Sequence, residues 1–182
     1  MSRETYLPVL FQLFRKNGYD GVSLANISES TGLGKASLYH HFPGGKVEML
    51  QATMRHTEMW FEKNVVGVLA TEQPLRSRFE EMCDRLNTLY ASGSHPCLLA
   101  AVTAGSSRDI VPEQLKARLA DMVEAISKVL TDAGLDSALA HERGEDAVIT
   151  IQGALILAQG IGDTTPFQRA LAQLPDRLCE GL

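Results

Sequence analysis

Side chains that can donate hydrogen bonds are concentrated in one short stretch, between Lys35 and Phe42. Leu38 and Phe42 are four residues apart, so a helix here turns both to one side and leaves its polar residues on the others. These polar residues are Lys35, Ser37, Tyr39, His40 and His41. A lysine can donate to N7 and O6 of guanine, and hydroxyl groups can bind backbone phosphates. The stretch therefore predicts a short helix that presents hydrogen-bond donors to DNA.

A second short helix precedes this stretch and is separated from it by a glycine turn. Ser23 can cap its first turn, and Leu24 and Ile27 lie on one face. Glycine in the run 31–34 supplies the positive φ that a tight exit turn needs. Two helices joined in this way predict a helix-turn-helix, in which the second helix enters the major groove and the first braces it. The same pattern also fits a solvated face of an ordinary helical bundle.

The spacing of these residues resembles the N-terminal domain of the TetR family of transcriptional repressors. The matching residues are Gly18-Tyr19, Val22-Ser23-Leu24, Ile27-Ser28, Thr31-Gly32-Leu33, Ser37-Leu38-Tyr39-His40-His41-Phe42 and Gly45-Lys46. The doubled glycine that follows Pro43 resembles one branch, the LmrA/YxaF-like repressors. The match covers about the first quarter of the chain, and the remainder resembles the family only in its helical plan.

The resemblance assigns DNA contacts to a set of residues in and around the second helix. They are Ser23, Lys35, Ala36, Ser37, Tyr39, His40 and Lys46. The first turn of the second helix enters the groove deepest, where Lys35 suits guanine and Ala36 suits a thymine methyl group. Ser23, Tyr39 and Lys46 are better suited to phosphates, which position the protein without reading sequence. The helix that begins near Lys46 adds amides that can also bind a phosphate.

Charge is distributed unevenly along the 182 residues. The net charge is −5, yet residues 1–50 hold five Lys/Arg and four Asp/Glu and are mildly basic, while the remainder is acidic. A few well-placed donors suffice for a domain that recognises a specific DNA sequence, called the reader below. The net charge argues against a protein that coats nucleic acid non-specifically. We find no signal peptide or membrane-length apolar run, and expect a cytoplasmic protein. Cys83, Cys97 and Cys179 share no metal-ligand spacing and favour buried thiols over a redox-sensing pair.

Apolar residues recur at helical spacing along most of the chain, and nothing alternates as a strand does. The expected helices cover residues 3–17, 23–31, 35–42, 46–69, 74–91, 96–104, 112–132, 137 or 140 to 160, and 166–179. We expect Pro8 to delay the first regular helix to about residue 5 or to bend it, and Pro175 to interrupt or shorten the last helix. The predicted fold is all-α, with an N-terminal three-helix helix-turn-helix DNA-binding domain (1–45) and a C-terminal helical effector-binding and dimerisation domain (46–182).

The helix that ends near residue 160 carries two apolar stripes. One contains Val148, Ile151, Leu155 and Ala158, and the other contains Ile149, Gly153, Ile156 and Gly160. Two stripes need two partners, of which one is the core of the chain and the other could be a second copy. The last two helices, doubled by a two-fold axis, would form a four-helix homodimer interface.

Other kinds of chemistry find little support. The run 32–37 is reminiscent of a phosphate loop, but Ala36 stands where the Walker pattern requires Ser or Thr. No histidine pair has the i,i+4 spacing of a helical metal site, and no nucleophile–base constellation can be identified. We therefore expect no metal, no cofactor and no enzymatic activity.

TetR-like repressors hold a small effector between the helices of the C-terminal part, and apolar residues here could line such a cavity. The candidates are Phe79, Met82, Cys83, Leu86, Tyr90, Leu98, Val102, Met122, Ile126 and Gln152. The alternative for each is an ordinary core residue, because protein interiors are close-packed by default. Few charges lie on these faces, so the expected effector is small and largely apolar.

The sequence thus predicts a homodimeric repressor, released from a palindromic DNA operator by a small effector. Two other classes stay open. One is a helical ligand-binding protein or enzyme that uses the C-terminal cavity, and ligand turnover would favour it. The other is an effector-independent DNA-binding protein, which a fully packed C-terminal part would favour.

Overall fold

The computed structural model describes residues 2–182, and these residues form helices, turns and loops without any strand. The helices are α1 (Leu7–Asn17), α2 (Leu24–Thr31), α3 (Lys35–His41), α4 (Gly45–Phe61), α5 (Gly67–Leu69), α6 (Leu75–Leu89), α7 (Leu98–Thr103), α8 (Pro112–Asp132), α9 (Ser137–Ile161) and α10 (Thr165–Leu178). A π-helical turn, Glu62–Val66, joins α4 to α5. The predicted all-α fold is confirmed.

The two prolines behave differently from one another. Pro8 lies in the first turn of α1, where no helical partner exists for a backbone N–H, and the regular helix begins at Leu7 after a 3₁₀ turn, Arg3–Tyr6. The predicted interruption at Pro175 is wrong, because α10 continues through this residue to Leu178. Pro175 is buried and lies in the last turn, so its missing N–H costs a single hydrogen bond near the helix end.

The chain divides into two compact units. The first unit contains the chain up to Met59 together with Cys97–Leu115, and the second contains Trp60–Pro96 and Lys116–Leu182. Two of the three boundaries therefore fall within α4 and within α8, and the third lies just before α7. The predicted domains, 1–45 and 46–182, were divided by function and not by packing, and that division stays a prediction.

The core of the first unit lies beneath the helix-turn-helix. Phe14 of α1, Ile27 of α2 and Phe42 at the end of α3 are completely buried. Leu98 and Val102 of α7 belong to the same cluster, and α7 packs against α1. A shared core of this kind fixes the position of α2 and α3, because close-packed side chains resist displacement.

The second unit packs α10 against both α6 and α9. The rings of Tyr90 and Phe167 meet edge to face, with centroids 5.8 Å apart. Gly93 has a φ of 102°, and a Cβ there would come within 2.9 Å of the Cβ of Phe167. At Gly144 a Cβ would come within 2.5 Å of Ser127 Oγ, so the missing side chain permits a close approach of α8 and α9.

Candidate nucleic-acid interface

Ser23 begins the helix-turn-helix by capping α2, as predicted. Its Oγ accepts a hydrogen bond from the backbone N–H of Asn26 at 3.1 Å, and Asn26 Oδ1 accepts one from the backbone N–H of Ser23 at 3.0 Å. The Ser23 hydroxyl also donates to Asn26 Oδ1 at 2.6 Å. The side chain thus satisfies the helix end, and its hydroxyl hydrogen must turn away from Asn26 before it can bind a phosphate.

The turn between α2 and α3 is closed by side-chain hydroxyls. Gly32 has a φ of 71°, in the left-handed region that glycine tolerates best. Thr31 Oγ1 donates to the carbonyl of Ile27 at 2.6 Å and accepts from the N–H of Leu33 at 3.3 Å. Ser28 Oγ donates to the Leu33 carbonyl. These bonds hold the exit of α2 against the entry of α3.

Helix α3 presents its predicted DNA-contact residues on the surface. Leu38 is buried, while Lys35, Ala36, Ser37 and His40 are exposed and Tyr39 is 41 % exposed. The structure therefore brings these five candidates together on one short helix. Their contact with DNA stays a prediction.

His41 points elsewhere. Its side chain is half-buried, and its ring centroid lies 5.2 Å from that of Tyr6 and 5.4 Å from that of His40. This placement agrees with its absence from the predicted contact set.

Lys46, the remaining candidate, is bound within the protein. Its Nζ donates to the backbone carbonyl oxygens of Tyr19 at 3.0 Å and of Val22 at 2.9 Å. The ammonium also lies 4.1 Å from the centroid of the Tyr19 ring, within the range of a cation–π interaction. Lys46 thus joins the first turn of α4 to the loop that leads into α2.

The start of α4 was predicted to bind a phosphate through backbone amides, and a carboxylate of the protein already accepts a hydrogen bond from an amide there. Glu48 Oε2 accepts from the backbone N–H of Gly44 at 2.8 Å, and Glu48 Oε1 lies 3.2 Å from Arg3 Nη1. Arg3 in turn covers the ring of Phe42 at 5.5 Å. Sequence reasoning missed Arg3 and Glu48, although an acidic residue in the first turn of α4 is a signal for an interaction with that helix end.

Asp20 ties the loop before α2 to a distant turn of the same unit. Its carboxylate accepts hydrogen bonds from the backbone N–H of Ser106 at 2.9 Å and from the Ser106 hydroxyl. These two bonds, together with the positive charge of Lys46, hold the pKa of the Asp20 carboxyl below its usual value. The residues are 86 positions apart, so no local sequence signal could have indicated the pair.

The predicted effector-site residues are distributed over both units. Leu98 and Val102 belong to the core of the first unit. The others lie in the second unit, where Phe79, Met82, Cys83, Leu86, Tyr90, Met122 and Ile126 are buried and Gln152 is half-buried. Burial fits both a cavity wall and ordinary core, so the effector role stays a prediction.

The described residues of the second unit form several surface depressions of small-molecule size, among them one of about 420 Å³ between α9 and α10, lined in part by Arg143 and Arg177. Two others include buried apolar residues in their lining. One, of about 300 Å³, lies between α6 and α10 and includes Cys83 and Leu171 in its lining. The other, of about 320 Å³, is lined by Val66 and Leu69 near the end of the α4–α5 run, by Val129 of α8 and by Arg78. Arg78 Nη1 donates to the Leu69 carbonyl at 3.1 Å, while its buried Nε has no acceptor among the described residues.

In the part of the chain that the structure describes, none of the three cysteines forms a disulfide bond. Burial is the main reason that the pKa of Cys83 is raised to about 12, and it also raises the pKa of Cys179. Because a thiolate rather than a thiol is the nucleophile, Cys83 is unreactive at neutral pH. Within residues 2–182, no group of three or more His, Cys, Asp or Glu side chains is placed to hold a metal ion. None of the helices described is both long enough and apolar enough to span a bilayer.

Comparisons with known proteins agree with this architecture. Residues 9–53 match the family model described as "Bacterial regulatory proteins, tetR family", and residues 72–173 match that of "Transcriptional regulator LmrA/YxaF-like, C-terminal domain". The chain is 26% identical to the HTH-type transcriptional regulator LmrA of Bacillus subtilis over 182 residues, which cover 97% of this chain and 96% of LmrA.

Solved structures share the fold at lower sequence identity. A TetR transcriptional regulator from Legionella pneumophila superposes with a TM-score of 0.81 at 22% identity, covering 97% of this chain and 96% of the other. The TetR family regulator CifR, solved as a cysteine mutant with 26-base-pair operator DNA, gives a TM-score of 0.77 at 21% identity, covering 100% and 98%. The predicted resemblance is confirmed over both parts of the chain. The chain belongs to the TetR family of DNA-binding bacterial transcriptional regulators, in its LmrA/YxaF-like branch.

Proposed function

We propose that this regulator is a homodimeric repressor that binds a palindromic operator and is released by a small effector. The observation that carries the DNA-binding part is the exposed face of α3, where donors gather on a helix held by a buried core. In this proposal Lys35 and Ser37 read base edges, Ala36 contacts a thymine methyl group, and Tyr39, His40 and Ser23 bind phosphates or neighbouring bases. CifR, which shares the fold, has been solved with operator DNA.

The exposed face of α9 supports the homodimer. Ile149, Ile156 and Ile161 are 66 %, 63 % and 58 % exposed, although α9 buries its opposite stripe in the unit core. Gly153 and Gly160 lie on the exposed side, and a Cβ at either would meet nothing within 4 Å. Contiguous exposed apolar residues mark an interaction surface, and a two-fold axis would bury them against their own copies. Two readers related by that axis require an operator with the same symmetry.

The effector part rests on the second unit. Its depressions are of a size that suits a small molecule, and the one beside Arg78 is lined by apolar residues, among them Val66, Leu69 and Val129, together with charged ones. A largely apolar effector with a polar group at one end would suit such a lining. In this proposal residues 1–45 bind DNA, residues 46–182 bind the effector and the second copy, and α4 connects them. The effector acts by binding more tightly to a dimer whose readers are wrongly spaced for the operator.

An effector-independent DNA-binding protein is the second candidate, because most residues predicted to line an effector cavity are buried in the manner of ordinary core. A bacterial regulator of either kind would act in the cytoplasm, where the chromosome lies. Release of bound operator by a small molecule separates the two candidates. Turnover of that molecule would instead indicate an enzyme.

The experiment that tests the proposal is selection of bound duplexes from a random DNA pool by the purified protein at a stated salt concentration. Enrichment of one motif with two-fold symmetry is the expected result, and it would supply the probe for an effector screen by operator release. Enrichment of a motif without symmetry would contradict the dimeric reader. Failure of a folded protein to enrich any motif, in the presence and absence of candidate effectors, would contradict the proposal as a whole.

A further inference from the structure

Lys46 is the member of the predicted DNA-contact set whose charged group is already bonded to the protein's own backbone. An ammonium has three N–H donors, and two of them are used by the carbonyls of Tyr19 and Val22. Hydrogen bonds from a charged donor are stronger than neutral ones. To reach a phosphate by turning outward, Lys46 would have to break both bonds and leave the Tyr19 ring. Lys35, by contrast, is exposed and has no hydrogen-bond or ion-pair partner among residues 2–182.

The loop that Lys46 holds, residues 19–22, is also held by the turn after α7. Asp20 receives two hydrogen bonds from Ser106, one from the backbone and one from the hydroxyl. The Phe14 and Tyr19 rings stack with centroids 6.1 Å apart, and Val22 is buried in the unit core. A short loop with this many attachments has little freedom, and Lys46 supplies the attachment to α4.

This loop determines where the helix-turn-helix begins. Val22 is followed directly by Ser23, which caps α2, and α2 is bonded through its exit turn to the start of α3. A displacement of the loop therefore shifts the N-terminus of α2 and, with it, the first turn of α3. Base reading depends on the placement of that turn, whereas attraction to phosphates depends chiefly on the number and distribution of positive charges.

We propose that Lys46 is a positioning residue for operator recognition: its ammonium holds the 19–22 loop on α4 and contacts no DNA phosphate in the complex. The inference rests on the proposed DNA-binding function. It differs from the sequence-based assignment of Lys46 to a phosphate, and the two roles make opposite predictions for the salt dependence of binding.

The test compares the parent protein with Lys46→Met, which keeps the aliphatic stem and removes the donors and the charge. Binding to the selected operator and to a scrambled duplex of equal length is measured by fluorescence anisotropy over a series of KCl concentrations. Removal of a phosphate contact lowers the slope of log K against log[salt] by about one and weakens both duplexes alike. A positioning role predicts an unchanged slope, a small loss of affinity for the scrambled duplex from the removed charge, and a roughly tenfold larger loss for the operator.

Two lysines serve as matched controls. Lys35→Met removes an exposed donor from the proposed reading face, and it is expected to lower the ratio of operator to scrambled affinity, as the loss of a base contact does. Lys63→Met removes an exposed lysine from the π-helical turn in the second unit, and it is expected to change neither slope nor affinity. Circular dichroism and the melting temperature establish the folded fraction of each variant. Loss of folded protein alone would reduce binding to both duplexes by the same factor and leave their ratio unchanged.

Asp20→Asn tests the loop without touching Lys46, and it decides the matter if Lys46→Met does not fold. The substitution removes a negative charge, so electrostatics alone predicts tighter binding to both duplexes. Asn keeps one oxygen for the backbone N–H of Ser106 but lacks the second carboxylate oxygen that accepts from its hydroxyl, so the weakened attachment of the loop instead predicts a lower ratio of operator to scrambled affinity. A preserved ratio in Asp20→Asn, or a slope lowered by about one in a folded Lys46→Met, would overturn the proposal.

The same data separate this inference from the proposed function. If the parent protein prefers no duplex over the scrambled one, the DNA-reading function fails and the role of Lys46 fails with it. If the parent prefers its operator and Lys46→Met lowers the salt slope, the function stands and the positioning role alone is wrong.

Discussion

The first turns of α3 and α4 both carry a lysine, but they use it differently. Lys35 is exposed at the start of α3, whereas Lys46 bonds to two carbonyls of the preceding loop. The acidic residue near the start of α4 is also bound internally, with Glu48 joining Arg3 and the Gly44 amide. The comparison shows that a lysine close to the proposed DNA-contact helix can instead bind the protein's own backbone. One turn leaves its charge exposed, and the other uses its charges to hold the unit together.

The largest effect on stability is expected at Phe42, which lies between α3 and α4 along the chain. Phe42 ends α3, is completely buried and lies beneath Arg3. Phe42→Ala is expected to destabilise the first unit by about 3–5 kcal/mol, because it leaves a cavity in a close-packed core. Chemical denaturation of the full chain would measure the loss, with His40→Ala as an exposed control from the same helix. A loss below about 1 kcal/mol would mean that the site relaxes around the missing ring.

The next largest effect is expected on DNA sequence discrimination, at Lys35 on the exposed face of α3. Lys35→Ala is expected to cost about 1–3 kcal/mol of discrimination between operator and a variant altered at one base pair, if the lysine donates to a guanine. Its stability should be unchanged within about 0.5 kcal/mol, because the side chain is exposed. Competition binding with single-base operator variants measures the discrimination. Equal losses against every variant would place Lys35 on a phosphate instead.

A smaller effect is expected at Glu48. Glu48→Gln keeps an oxygen that can accept from the Gly44 amide but removes the charge that pairs with Arg3. Because the Arg3 and Glu48 side chains are 40 % and 24 % exposed, the loss of stability should be below about 1 kcal/mol. Removal of a negative charge beside the proposed DNA surface should raise affinity for scrambled duplex. Anisotropy titration at low salt measures this, and weaker binding would mean that Glu48 orders the turn more than it repels DNA.

Local pattern was sufficient to predict the elements of the reader. The Ser23 cap, the left-handed Gly32 and the inward pair Leu38 and Phe42 follow from interactions within a few residues, and the structure has all of them. The two stripes of α9 were predictable for the same reason: helical periodicity places Ile151 on one face and Ile156 on another, and the first is buried while the second is exposed.

The attachments of the reader were not predictable, because they join distant parts of the chain. Lys46 reaches carbonyls 24 and 27 residues earlier, and Asp20 reaches Ser106 across 86 residues. Every residue has a backbone carbonyl, so the residue types at Tyr19 and Val22 do not mark them as hydrogen-bond acceptors. The sequence also does not distinguish effector-binding residues from core residues, because cavity walls and packed interiors use the same apolar side chains.

The smallest expected effect concerns pH and the second attachment of the 19–22 loop. The hydrogen bonds from Ser106 hold the pKa of Asp20 below its usual value of 3.8. A carboxyl whose pKa is lower in the folded state contributes stability above its unfolded pKa, and loses that contribution as the pH falls through its folded pKa. The stability difference between the parent and Asp20→Asn should therefore be constant above about pH 5 and shrink in more acidic solution. Urea unfolding at a series of pH values measures it. A difference that persisted unchanged at acidic pH would show that the charge of Asp20 is unimportant and that the loop is held by Lys46 and core packing.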